Sequence, residues 1–161
     1  MASLESLLGR LIREDVEFVL IGGFAAVVHG GSLPTQDIDV CCRFSVDNLM
    51  RLQRALGDLH PVHRITPSHP PLELTPDQCC KFKNLYLTTD YGQLDCLSFV
   101  EGIGDYDRVY ENSMAIHLPD GPCRVLTLNA LIKAKEAMGR PRDREAVIQL
   151  KAIRERLHRD Q

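Results

Sequence analysis

Residues 20–40 read L-I-G-G-F-A-A-V-V-H-G-G-S-L-P-T-Q-D-I-D-V, and the order of residue types in this stretch decides the fold. A β-branched and aromatic run, Val16 to Ile21, stops abruptly at Gly22-Gly23. Phe24 to His29 is apolar and alanine-rich, which suits a short buried helix, and Gly30-Gly31-Ser32 ends it by glycine termination. Pro34 and Thr35 lead into a second strand, Gln36 to Cys42. Strand, glycine pair, helix and strand in that order predict a layered α/β or α+β domain with a mixed sheet.

The second strand breaks a local rule. Asp is depleted from strands, and alternate positions place Asp37 and Asp39 on one face. Two carboxylates side by side repel each other, and gathering a divalent cation relieves the repulsion. Mg²⁺ in particular is held by one or two carboxylates together with the phosphates of a substrate. A solvated strand edge would tolerate the same two residues. Gly22-Gly23 also reads two ways: as a plain tight turn, or as a turn whose N–H groups meet phosphate oxygens at a helix N-terminus. Further on, Leu94-Asp95-Cys96-Leu97 sets one Asp inside an apolar strand, where an unpaired carboxylate is costly. If that strand neighbours the D-I-D strand, Asp95 completes a cluster of three.

Outward from this centre, Leu4, Leu7, Leu8, Leu11 and Ile12 predict an amphipathic helix over 3–14. A helix from about Val46 to Leu59 carries Leu49, Leu52, Leu56 and Leu59 on one face. Residues 60–78 hold five prolines and three of the six histidines, and predict an irregular excursion with a short strand near Val62–Ile65. The spacing of those histidines fits no regular metal face. Strands over Asn84–Thr89 and Gln93–Phe99, joined by Asp90-Tyr91-Gly92, form a hairpin. Val109–Leu118 and Cys123–Leu126 read as extended. Thr127 caps a helix to Met138, Gly139 ends it, and Pro141 opens a last helix to about His158.

The chain has 161 residues, 44% hydrophobic and 25% charged, which predicts one domain (1–126 an α/β core, 127–161 C-terminal helices). That composition excludes a disordered tail and a simple coiled coil. No run approaches the roughly 18 apolar residues of a membrane-spanning helix. Glu5, Arg10, Arg13 and Glu14 interrupt the leucines of the N-terminus, so no signal-type apolar segment is expected there. Six cysteines include the adjacent pairs Cys41-Cys42 and Cys79-Cys80, without zinc spacing, and predict reduced thiols in a cytoplasmic protein. The net charge of −3 splits into +4 over residues 133–161 and −7 over the rest, an acidic part facing a basic helical part.

Three blocks, LIGGFAAVVHGGSLPTQDIDV, QLDCLSF and VLTLNALIKAKEAMGRPRDREAVIQL, together resemble the nucleotidyltransferase superfamily, whose members share the DNA polymerase β-like fold. The likeness spans about residues 16–155. The first block is the most specific, because it orders strand, glycine pair, helix and carboxylate pair. The third looks like the C-terminal segment of the small minimal and toxin-like branch.

The resemblance implies transfer of a nucleoside monophosphate from an NTP, with ATP the expected nucleotide, to a hydroxyl acceptor, with release of pyrophosphate. Asp37, Asp39 and Asp95 would be the catalytic residues and the ligands of Mg²⁺, two ions being expected. Gly22, Gly23, Thr35, Lys133, Lys135, Arg140 and Arg142 would contact the nucleotide. Asp143 stands between two readings, a structural clamp on Arg140 or Arg142 and a substrate role. The acceptor stays open among tRNA, protein and a small molecule such as an antibiotic, no membrane partner is expected, and short strands leave room for a homodimer. Many relatives have Gly-Ser at the position of Gly22-Gly23, and small members often have Arg at the position of Leu33. These departures point to the alternative, an inactive nucleotide-binding or interaction module of the same fold.

Overall fold

The computed structural model describes residues 2–32 and 35–160. Helix α1 (Ala2–Arg13) buries Leu4, Leu7, Leu8 and Leu11, the face its spacing predicts. Strand β1 (Phe18–Ile21) runs directly into α2 (Gly22–Val28), and β2 (Asp37–Cys42) returns antiparallel beside β1. Helix α3 (Val46–Leu56) begins at Ser45, whose hydroxyl accepts the Asn48 N–H, an N-cap of the usual kind. It tightens into a 3₁₀ turn over Gly57–Leu59, where the spacing predicts continued α-helix. Glycine and the left-handed backbone of His60, just before Pro61, end the regular helix early.

The excursion holds β3 (Val62–His63) and one helical turn, α4 (Pro76–Cys79). That turn is too short for periodicity to reveal; Pro76 at its first position and Gln78, whose side chain accepts the Thr75 N–H, define it. The hairpin β4 (Asn84–Thr89) and β5 (Gly92–Leu97) follows as expected, then a two-residue ladder, β6 (Phe99–Val100) with β7 (Gly104–Asp105).

Residues 109–111, expected to be extended, belong to a helix, α5 (Tyr106–Glu111). Asp105 caps it by accepting the Arg108 N–H, and Tyr106 and Val109, three apart, are its buried contacts. The strand predicted there starts later, as β8 (Ser113–Leu118), and pairs with β9 (Gly121–Leu126). Helix α6 (Leu128–Met138) carries its Thr127 cap and ends at Gly139 with φ +66°; α7 (Pro141–Arg159) closes the chain.

Seven strands form one mixed sheet in the order β3-β4-β5-β2-β1-β9-β8. The β2–β5 and β1–β9 pairs are parallel and the rest antiparallel. Alternation then sorts the strand residues. Ile38, Val40, Leu94 and Cys96 are fully buried, while Asp37, Asp39 and Asp95 take the opposite, half-buried face. A continuous apolar core joins the leucines of α1 and α3 to β2, β4, β5, α6 and α7, each buried leucine contributing about 1.5–3 kcal/mol.

Candidate active site

The parallel register of β2 against β5 sets Asp39 opposite Asp95 and Asp37 opposite Gln93. The D-I-D strand and the strand carrying Asp95 are therefore neighbours, as the sequence reading required. Tyr86 of β4 lies opposite Asp95 on the other side. Ile21, the last residue of β1, lies opposite Asp39, so the Gly22 turn passes directly over that carboxylate. A Cβ built on Gly22 would sit 2.3 Å from Asp39 Oδ2, and the backbone there has φ +73°. Only glycine satisfies both conditions.

A Cβ on Gly23 would lie 3.0 Å from Thr35 Oγ1. Thr35 thus fills the space beside Gly23, and its hydroxyl donates to the Asp37 carbonyl at 3.0 Å, fixing the entry to β2. The Leu33 departure lies outside the described residues.

Among the described residues, neither the Asp37 nor the Asp39 carboxylate has a hydrogen bond or a close ion pair. Burial pushes the Asp39 carboxyl up to about 6, helped by the negative charges of Asp95 and Asp37. Lys135 and Arg142 pull it the other way. Two acidic oxygen donors on one face, partly desolvated and without a close ion pair, beside a turn that leaves no side chain in the way, fit a divalent cation.

Asp95 is different. Arg64, just beyond β3, places Nη2 2.5 Å from Asp95 Oδ1. Its Nη1 donates to the Leu87 carbonyl at 2.9 Å, and its backbone N–H to the Tyr86 carbonyl at 2.8 Å. Sequence reasoning missed Arg64. The signal was available, since a carboxylate inside a strand demands a cation, but only the fold shows which arginine the excursion delivers. Among the described residues, no three His, Cys, Asp or Glu side chains gather closely enough to hold one metal ion. The expected trio shares a face without forming a single ligand set.

The basic residues divide. Asp143, 1% exposed, is gripped by Arg140 through Nε at 2.5 Å and Nη2 at 3.1 Å, with Lys135 Nζ 3.6 Å away. Burial raises the Asp143 carboxyl, yet these two cations outweigh it and hold it below the ordinary range. Asp143 thus clamps Arg140, and no ion pair joins it to Arg142 among the described residues. Arg140 and Asp39 also feel each other's charge. Lys135, Arg140 and Arg142 accordingly lie on the Asp39 side. Lys133, exposed and two positions along α6 from Lys135, sits about 200° round the helix and stands apart.

Other polar residues have structural partners. His29 Nε2 lies 2.7 Å from the Leu126 carbonyl, tying α2 to β9. His60 pairs with Asp90 and His63 stacks on Phe82, so they do not converge on a metal. Tyr91 lies under the Arg10 guanidinium. Burial pushes the Cys41 thiol up to about 12 and Cys123 to about 11, leaving neither as a thiolate nucleophile.

No protein-family model and no curated protein matches the sequence. Solved structures do. The lincosamide antibiotic adenylyltransferase LnuA, in a lincomycin-bound structure, superposes with a TM-score of 0.61 at 15% identity, covering 95% of this chain and 97% of that one. A nucleotidyltransferase candidate from Thermotoga maritima, TM1012, gives 0.57 at 16% identity over 97% and 91% of the two chains. The antibiotic-resistance factor ANT(2'')-Ia gives 0.53 at 13% identity over 99% and 91%. The chain has the nucleotidyltransferase fold. Among the described residues, no helix is long and apolar enough to cross a membrane.

Proposed function

We propose that the protein is a Mg²⁺-dependent nucleotidyltransferase that moves a nucleoside monophosphate from an NTP, ATP being the expected donor, to a hydroxyl acceptor. The observation that carries this reading is the unpaired Asp37–Asp39 carboxylate pair beneath the side-chain-free Gly22 turn. Asp37 and Asp39 would hold Mg²⁺, which when bound would polarise the α-phosphate and draw charge from the leaving pyrophosphate. Gly22 and Gly23 would let the backbone approach the phosphates, and Thr35 would keep Asp37 in place through its carbonyl. Arg142 and Lys135 would face the triphosphate, while Arg140, clamped by Asp143, would hold α7 against α6. Residues 1–161 would act as one domain, a view supported by the core continuous from α1 to α7. Six free thiols suit the reducing cytoplasm.

For the acceptor, a small hydroxylated molecule is the second-level reading. It is supported by the likeness to LnuA along nearly the whole of both chains. The exposed cations of α7 argue less for RNA than their number suggests, because Lys151 pairs with Glu136 and Arg154 bonds Asn129. Incubation with α-³²P-labelled NTPs, Mg²⁺ and separated pools of tRNA, protein and small hydroxylated compounds tests both levels. Label is expected in the small-molecule pool. Label in tRNA or protein would replace that acceptor, and no transfer to any pool, with NTP binding retained, would favour the inactive-module alternative.

A further inference from the structure

Arg64 is the cation nearest the carboxylate face, and its charge is permanent, because a guanidinium does not lose its proton in proteins. It is also fixed at three points: Nη2 on Asp95, Nη1 on the Leu87 carbonyl and the main-chain N–H on the Tyr86 carbonyl. The side chains of Arg64 and Asp95 are only 23% and 18% exposed, so the pair is largely shielded from water. Both anchoring carbonyls belong to β4, the strand next to Asp95, so the guanidinium is held by the sheet itself.

Charge counting over this face gives the consequence. Three carboxylates, Asp37, Asp39 and Asp95, bring three negative charges, and Arg64 removes one at Asp95. The remaining two, on Asp37 and Asp39, form the oxygen pair that one divalent cation would take, with Lys135 and Arg142 acting on Asp39 from the helical side. A two-ion centre needs carboxylates shared between ions about 3.5–4 Å apart. Here Asp95, the carboxylate expected to complete the second metal position, is already paired with Arg64, and no three-residue ligand set is formed among the described residues.

We infer that Arg64 is a positioning residue that takes the place of a second metal ion at Asp95, so that this chain works with a single Mg²⁺ on Asp37 and Asp39. The inference rests on the proposed nucleotidyltransferase reading. It changes the role expected for Asp95 from metal ligand to anchor of a fixed guanidinium, which contributes positive charge beside the reacting phosphates.

Counting bound Mn²⁺ by electron paramagnetic resonance, with a non-hydrolysable ATP analogue present, tests it. Wild type is expected to bind one ion per chain, and Arg64→Lys, which keeps the charge, also one. Arg64→Gln should open a second site and bind two, and Arg64→Gln combined with Asp95→Asn should return to one. Two ions in the wild type, or one in a folded Arg64→Gln variant, would overturn the inference while leaving the Asp37–Asp39 site intact. No ion in the wild type would overturn the nucleotidyltransferase site itself. If Arg64→Gln does not fold, Asp95→Asn decides: unchanged Mn²⁺ affinity supports the inference, and a loss of tenfold or more overturns it.

Discussion

Asp39 of β2 and Asp95 of β5 stand in register on adjacent parallel strands, yet of the two only Asp95 has a close ion pair, with Arg64. Asp39 is left in a partly desolvated position, facing two like charges, and this is where the fold concentrates its unfavourable electrostatics. Such a position persists when something outside the chain supplies the missing positive charge.

Metal-free protein should carry an electrostatic penalty at Asp39. The Asp39 carboxyl is raised from 3.8 to about 6 in the folded chain, so the folded state takes up the proton more readily than the unfolded one. Above about pH 6 it is ionised in both states and its burial destabilises the fold in full. As the pH falls through 6 towards 3.8 the penalty fades, and below 3.8 it is gone. Asp39→Asn should therefore be more stable than wild type at pH 8, by on the order of 2–3 kcal/mol, and equal to it near pH 3.5. Urea unfolding in EDTA at the two pH values measures this. A variant less stable than wild type at pH 8 would contradict it.

Divalent metal should reverse that sign. Saturating Mg²⁺ binds only the folded pair and stabilises it by RT ln(1 + [L]/Kd), about 2.7 kcal/mol at a hundredfold excess over Kd. Thermal unfolding should shift upward by roughly 5–10 °C in wild type for a chain of this length. It should not move in Asp37→Asn or Asp39→Asn. An equal shift in all three proteins would place the ion elsewhere.

Much of this was legible before the fold was known. Residues 20–40 contained the strand–turn–helix–strand order, and the D-I-D alternation already placed both carboxylates on one face. The lone Asp95 reads as the third member of a metal cluster, and its partner in the fold is Arg64. That partner could not be read, because Arg64 reaches Asp95 only through the pairing of β3 with β4 and of β4 with β5, contacts remote in sequence. Helix α5 was missed for a related reason: V-Y-E looks extended, and only the Asp105 cap and the burial of Tyr106 override that preference. Of the two arginines open to Asp143, the fold pairs it with Arg140, in a buried position that no local pattern reveals.

Gly22→Ala tests the turn. The new Cβ would lie 2.3 Å from Asp39 Oδ2, on a backbone with φ +73°. Strain of this kind destabilises by about 1–3 kcal/mol, and the displaced carboxylate should weaken Mn²⁺ binding by at least tenfold. Gly23→Ala meets Thr35 Oγ1 at 3.0 Å without the positive φ, so it should weaken binding less. Chemical denaturation beside Mn²⁺ titration separates the two effects, and a Gly22→Ala protein with wild-type Mn²⁺ affinity would refute the close approach.

Asp143 should matter for stability before it matters for chemistry. Removing a buried partner of Arg140 and Lys135 leaves two cations facing each other, so Asp143→Ala should destabilise by about 2–4 kcal/mol. Its carboxyl is held low in the folded chain, so its contribution is present above the unfolded value of 3.8 and is lost as the pH falls below it. The gap between wild type and Asp143→Ala should therefore be full at pH 7 and shrink below pH 4, opposite in sense to Asp39→Asn. Parallel unfolding curves with a constant gap would rule out this electrostatic origin.

The basic residues yield the sharpest contrast, because they were grouped by sequence and separated by structure. Arg142 is exposed but acts on the Asp39 charge, whereas Lys133 lies about 200° away from Lys135 around α6. Among the described residues neither has a hydrogen bond or ion pair to lose, so both substitutions should leave folding within about 0.5 kcal/mol of wild type. Arg142→Ala should weaken Mg²⁺–ATP binding by roughly tenfold, the loss of about 1.4 kcal/mol from one charge contact with phosphate. Lys133→Ala should leave it unchanged. Isothermal titration of the two variants against Mg²⁺–ATP decides the matter: equal affinities would mean that the triphosphate does not lie between the carboxylate face and the N-terminal turn of α7, and the nucleotide would have to be placed on another surface.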